Sequence, residues 1–192
     1  TDYYYSILPS ATPFSRNSIF SGRFPSQIQG EYSNVWDEEK TMNRYEEQML
    51  NKSLKRKGLL SEISHKYIKV INSEQGWNTD SKIKSYLDNN LISIVINFVD
   101  VLAHRRSESG FLKEIVPDEA SYRSILRNWF ERSWIMSILK KIKEYDFKVV
   151  LTSDHGSIRV MNDVKIKADK ETSSSVRFKY GRNLDSHPKH AL

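Results

Sequence analysis

Three short apolar runs most constrain what this chain can fold into. Tyr67 to Ile71, Leu91 to Val99 and Phe147 to Thr152 are rich in β-branched residues and barely alternate between apolar and polar. A strand with one face in water alternates, so runs of this kind suit strands buried on both faces, as in parallel sheets covered by helices. Between the last two runs, Tyr122, Ile125, Leu126, Trp129 and Phe130 mark one stripe at helical spacing, and Ile135, Ile138, Leu139 and Ile142 mark another. The expected class is therefore α/β, a mainly parallel sheet flanked by helices.

The rest of the chain is read around that frame. Tyr3 to Leu8 reads as a strand stopped by Pro9 and Ser10. Thr12 then stands where an N-cap would, ahead of a short helix closed by Gly22 and Pro25. Residues 30 to 66 are polar, with a helix expected from Arg44 to Lys57 and ended by Gly58. After Gly156, short strands are expected around Ile158 to Val160, Val164 to Ile166 and Val176 to Tyr180. With 192 residues, no internal repeat and no linker, the expectation is one domain over 1–192.

Composition excludes several classes. The longest apolar run is far short of the 18 or more residues of a membrane span, so no membrane insertion is expected. Zero cysteines remove disulfide scaffolds, thiolate zinc sites and cysteine nucleophiles together, and suit a cytoplasmic protein. A formal net charge of +6 favours an anionic partner or substrate.

Two Asp/His pairs stand at the expected carboxyl ends of buried strands, where ligands collect in open α/β sheets. Asp154 and His155 follow the run ending at Ser153, and Gly156 lets the backbone turn away. Asp100 and His104 follow the run Ile94 to Val99, four residues apart, so a helix starting there puts both on one face. Carboxylate and imidazole suit zinc or manganese. Either pair alone has a plainer reading, as a turn or a cap. Two pairs at two strand ends, which the sheet would bring together, favour a site.

Thr12 is the third element, at a strand-to-helix turn where the helix N-terminus favours phosphate oxygens. A threonine alkoxide needs a metal ion at neutral pH, and without one Thr12 is simply a capping residue. Arg16, one turn on, is placed to clamp an anion bidentately. Arg105, Arg106, Arg177, Lys179, Arg182 and Lys189 are candidates for a polyanion groove, each more plainly a surface charge by itself.

These residues resemble a known family. Pro9-Ser10-Ala11-Thr12 with Ser15-Arg16, Asp100 with His104, and Thr152 to Gly156 occur in the order of the alkaline phosphatase superfamily. The runs ILPSATPFSRNSIFSG, NFVDVLAHRRSE and TSDHGSIRV resemble the PglZ domain, most nearly the effector domain of PorX-type response regulators associated with type IX secretion. The resemblance implies an alkaline-phosphatase-like core and two zinc ions. Thr12 would be the nucleophile and, with Asp154 and His155, a ligand of one ion, while Asp100 and His104 would hold the other. Substrate contacts are expected, from position and charge, of Arg16, Asn17, Lys179 and Arg182, with Arg16 also catalytic.

The implied activity is hydrolysis of phosphoesters, phosphodiesters of nucleotides, oligonucleotides or cyclic nucleotides before monoesters. The implied partners are a sensor kinase, secretion-system components and a second copy in a homodimer. The family pattern also has an Asp on a strand ahead of Thr12 and a His in a His-Gly-Gly context, and neither is found. His187 and His190 lack the glycines and read as solvent-facing, so the chain reads as a domain fragment. Two alternatives stay open: a phosphatase, sulfatase or phosphomutase of the same superfamily, and a regulatory or dimerisation module that does not catalyse.

Overall fold

A computed structural model describes residues 5–8, 10–32, 43–157, 164–169, 179, 183–187 and 189. These fall into two compact units, one drawn from Thr1–Ile19, Arg23–Tyr45 and Asp154–Leu192, the other from Phe20–Gly22 and Glu46–Ser153.

The second unit is built on a parallel pair of strands, β1 (His65–Val70) and β2 (Leu91–Ile96), in register from His65 opposite Leu91 to Val70 opposite Ile96. Parallel neighbours need a crossover, which here is α4 (Ser73–Tyr86). The Asn72 side chain caps α4, accepting from the Gln75 N–H at 2.9 Å, and the Gln75 side chain accepts from the Ile71 N–H at 3.0 Å. After β2 come α5 (Phe98–Glu108), α6 (Gly110–Ile115), α7 (Glu119–Arg132) and α8 (Trp134–Ile142). Two of the three expected strands and both helical stripes are therefore present. The Leu91 run ends as a strand at Ile96, because Phe98 and Val99 continue its apolar character inside the first turn of α5.

The third expected strand does not form. Residues 147–152 pair with no strand among the described residues, and Val149, Val150 and Leu151 are 56%, 84% and 78% exposed. A β-branched run states a preference for burial, but a strand also needs an adjacent edge to pair with, and context decides. Tyr5 to Leu8 likewise form no strand, with Tyr5 and Leu8 exposed, while Tyr3 and Tyr4 lie outside the described residues. Val164 to Ile166 are not a strand either. Next to them Lys167 and Asp185 make an isolated antiparallel bridge. The segments expected around 158–160 and 176–178 are outside the described residues.

The core of this unit is Val70, Ile83, Trp134, Ile135 and Ile138, with Ile94, Ile96 and Leu139 packed against it. Its tightest point is Gly76 on α4, where an added Cβ would stand 2.1 Å from the Trp134 indole nitrogen. Lys141 of α8 reaches back to α4, donating to the Asp80 carboxylate at 2.7 Å and to its carbonyl at 3.0 Å. At the other end lies α3 (Glu46–Arg56), closed as expected at Gly58. Gly58 has φ +73°, and bonds from Leu59 N–H to Leu54 O and Gly58 N–H to Lys55 O complete a Schellman cap. The buried Glu46 carboxylate is hydrogen-bonded by the Tyr67 hydroxyl and paired with Lys69 at 3.3 Å, which ties α3 to β1.

The first expected helix is α1 (Thr12–Ser21), ended at Gly22 with φ +62°. Pro25 does not close it but opens α2 (Pro25–Glu31) at its first position, where a missing N–H costs nothing.

The Gly76 contact yields a prediction. Glycine to alanine in a helix interior gains about 1 kcal/mol from propensity, but overpacking a core costs typically 1–3 kcal/mol, and more where a ring must move. Gly76→Ala should therefore destabilise the chain in urea denaturation. Gly30→Ala on α2, with open space around its Cβ position, should be neutral or slightly stabilising.

Candidate functional site

The site begins at the first turn of α1. Phe14 and Ser15 N–H both donate to Ala11 O, at 3.0 and 2.9 Å, so Ala11 is the capping residue and Thr12 is the first residue inside the helix. The expectation of Thr12 as the N-cap is corrected by one position. Its hydroxyl is thereby free of backbone capping, and Oγ1 lies 2.8 Å from His155 Nε2.

His155 is held from its other side, with Nδ1 3.2 Å from the carbonyl of Gly156. Asp154 Oδ2 lies 3.8 Å from the same Nε2 and is buried, with no hydrogen-bond partner among the described residues. Thr12, Asp154 and His155, predicted as one set, are thus brought together in the first unit. The route differs from expectation: Asp154 and His155 stand on irregular chain and do not follow a strand. Gly156 has no positive φ and open space where a Cβ would be, so it is not required for a tight turn.

The neighbouring turn of α1 carries further polar groups. Arg16 is partly buried, and Asn17 is 1% exposed. Ser15 Oγ and Asn17 Oδ1 are buried and without a hydrogen-bond partner among the described residues. Lys179 is partly buried, His187 is exposed, and Arg177, Arg182 and His190 lie outside the described residues.

Asp100 and His104 belong to the second unit and are described by themselves. Asp100 lies in the first turn of α5 and His104 one turn on, with Oδ1 and Nε2 3.5 Å apart. As expected from the spacing of four, they share a helix face. Both side chains are open to solvent, 43% and 61% exposed. Nearby, the Tyr122 hydroxyl is pushed above its ordinary value of 10.0 by burial, then by the Glu119 charge, with Arg106 opposing and Asp100 adding to the rise. Arg106, a candidate for binding polyanions, is committed to the fold. It donates to Val116 O at 2.8 Å and to Glu119 at 3.0 Å.

The first set can be tested as a metal site. Donors 2.0–2.1 Å from a tetrahedral zinc ion stand roughly 3.3 Å apart, and the separations of 2.8 and 3.8 Å about His155 Nε2 straddle that value. A buried carboxylate oxygen without a donor is itself a reason for a cation. The set fits an ion, with one hydroxyl in place of a third acidic or imidazole ligand. Among the described residues no three His, Cys, Asp or Glu side chains gather.

The Gly156 carbonyl was not legible as part of the site, because a backbone atom carries no residue-type signal. Asn17 was expected as a substrate contact and Ser15 as part of the motif, while the burial of both is shown by the fold alone.

An α/β chain with a hydroxyl, an imidazole and a buried carboxylate near a helix N-terminus has the parts of a phosphoryl-transfer site. The chain belongs to the PglZ family: residues 1–191 match the BREX system PglZ alkaline phosphatase-like domain. That superfamily is of phosphoesterase type and its members commonly bind metal ions. None of the curated proteins compared with the chain matches it. No helix among the described residues is long and apolar enough to cross a membrane.

The exposure of the α5 pair gives a prediction. Solvent-exposed pairs contribute about 0–1 kcal/mol, so Asp100→Ala and His104→Ala should leave thermal stability nearly unchanged. A change in ion binding by either variant then reports on ligation. A large loss of stability would make the pair structural.

Proposed function

We propose that the chain is a zinc-dependent phosphoesterase domain whose nucleophile is the Thr12 hydroxyl, acting on nucleotide or oligonucleotide phosphodiesters. The observation that carries this reading is that Thr12 Oγ1 and Asp154 Oδ2, the latter buried without a hydrogen bond among the described residues, both lie within 3.8 Å of His155 Nε2. Family membership supplies the reaction class.

Each residue has a role in that chemistry. Thr12 attacks phosphorus as the ester's P–O bond breaks and the alcohol leaves with a proton, and water then hydrolyses the adduct to free Thr12; its place in the first turn of α1 sets the phosphoryl oxygens against the positive end of the helix. Arg16 holds a non-bridging oxygen pair, with Asn17, Lys179 and Arg182 as further substrate contacts. Asp154 and His155 with Thr12 would hold one zinc ion, and Asp100 with His104 a second. Zinc, when bound, supplies Lewis-acid stabilisation of the attacking oxygen and of the phosphoryl charge. Net charge of +6 favours a polyanionic substrate.

The finer context rests on the resemblance of the three sequence runs alone. It makes the chain the cytoplasmic output domain of a response regulator linked to type IX secretion, acting with a sensor kinase and as a homodimer.

Parallel measurement of bound zinc and of hydrolysis tests the reading. Thr12→Ala should lower turnover by about 10² or more while keeping most of the zinc. Asp154→Ala should lose both. An active Thr12→Ala chain would assign the attack to water. A panel of phosphomonoesters, phosphodiesters and sulfate esters decides the substrate class, with diesters expected to be turned over fastest.

A further inference from the structure

The segment that follows α8 exposes what the rest of the second unit buries. The backbone of residues 148–151 makes no hydrogen bond among the described residues, and Val150 is 84% exposed. Val149, Val150 and Leu151 have the β-branched and apolar character of a paired strand. Unpaired N–H and C=O groups that carry such side chains are a template for pairing with another chain. The unit's own sheet has two strands, β1 and β2, and the segment lies off it. We propose that residues 148–152 pair antiparallel with the same residues of a second copy of this chain, about a two-fold axis at Val150.

Symmetry and charge select that register. Two copies of one segment that share a sheet across a two-fold axis run antiparallel, with the axis normal to the sheet. Side chains directly opposite lie on the same face, so the axis passes through a residue that meets its own copy. With Val150 on the axis, it faces the partner's Val150, Val149 faces the partner's Leu151, and Lys148 faces the partner's Thr152. Apolar then meets apolar, and the segment's one charge meets a neutral hydroxyl with no like charge opposite. With the axis one residue earlier, Lys148 would face the partner's Val150, leaving a charge against an apolar side chain. A self-complementary contact of this kind closes as a two-fold dimer.

The inference rests on the homodimer of the proposed function and names its interface, and it uses none of the phosphoryl-transfer chemistry. Its test is sedimentation of the full 192-residue chain beside three variants. The unaltered chain should sediment as a dimer. Val150→Lys sets two like charges directly opposite each other and should sediment as a monomer, with an unchanged far-UV circular dichroism spectrum because the residue is exposed in the fold.

The chain has no cysteine, so an introduced thiol reports its own neighbour. In Val150→Cys the two Cα atoms stand about 4.5–5.5 Å apart across the pair, within the disulfide range of roughly 4.4–6.8 Å, and mild oxidation should give a covalent dimer. In Lys148→Cys the two thiols are offset by about 14 Å along the strands and should give none. A monomeric unaltered chain would overturn the homodimer and this interface together. A dimer that survives Val150→Lys, or that Lys148→Cys traps as readily as Val150→Cys, would overturn the interface alone. Species larger than a dimer would overturn the two-fold closure. Protection of the 148–151 amides from hydrogen exchange in monomeric Val150→Lys would give the segment to the chain's own sheet and overturn the proposal.

Discussion

The contact between Thr12 and His155 joins residues 143 apart in sequence, and the candidate site depends on it. Closing a loop of that length costs about 4 kcal/mol of chain entropy, while a hydrogen bond returns about 1 kcal/mol net. The bond therefore does not assemble the site. It reports that the first unit, drawn from both ends of the sequence, brings the start of α1 to the Asp154–His155 segment. What the bond does add is direction, since it fixes one hydroxyl against one ring nitrogen.

The second unit solves a different problem. A parallel strand pair has to send its chain back over a helix, and α4 is that helix. Its inner face is made of Gly76, Thr79, Asp80 and Ile83. The missing side chain at Gly76 lets the Trp134 indole lie against the helix backbone, and Asp80 meets Lys141 across the same gap. One large side chain fitted to one absent one thus anchors α8. The Phe98 ring lies stacked on Trp129 at 4.0 Å between ring centres, linking α5 to α7.

Legibility followed the source of each signal. β1, β2, α7 and α8 were readable because an apolar run or stripe records burial directly. α4 gives no such stripe, since glycine, threonine and aspartate make up most of its buried face. The Val149 to Leu151 run has the composition of a buried strand, yet its exposure shows that pairing is a property of the neighbours and not of the segment. Thr12, Asp154 and His155 were candidates from residue type and motif order, and the proximity of Asp100 to His104 follows from their spacing of four. The shift of Thr12 into the helix, the burial of Asn17 and the carbonyl behind His155 follow from backbone geometry, which residue types do not record. The larger sheet that the strand signals implied is represented among the described residues by two strands, while the family assignment follows from the match over residues 1–191.

The account's central claim is that the Thr12 oxygen attacks phosphorus, and a covalent intermediate is its direct signature. The chain, loaded with zinc and mixed with a phosphoester substrate, can be quenched in acid and digested, and the peptide spanning α1 weighed. The account predicts a phosphorus adduct on Thr12, a phosphoryl group from a monoester or a phosphoryl group still carrying its retained ester from a diester, absent from the same peptide of Thr12→Ala. Turnover without any label on Thr12, or with the label on another residue, would contradict it.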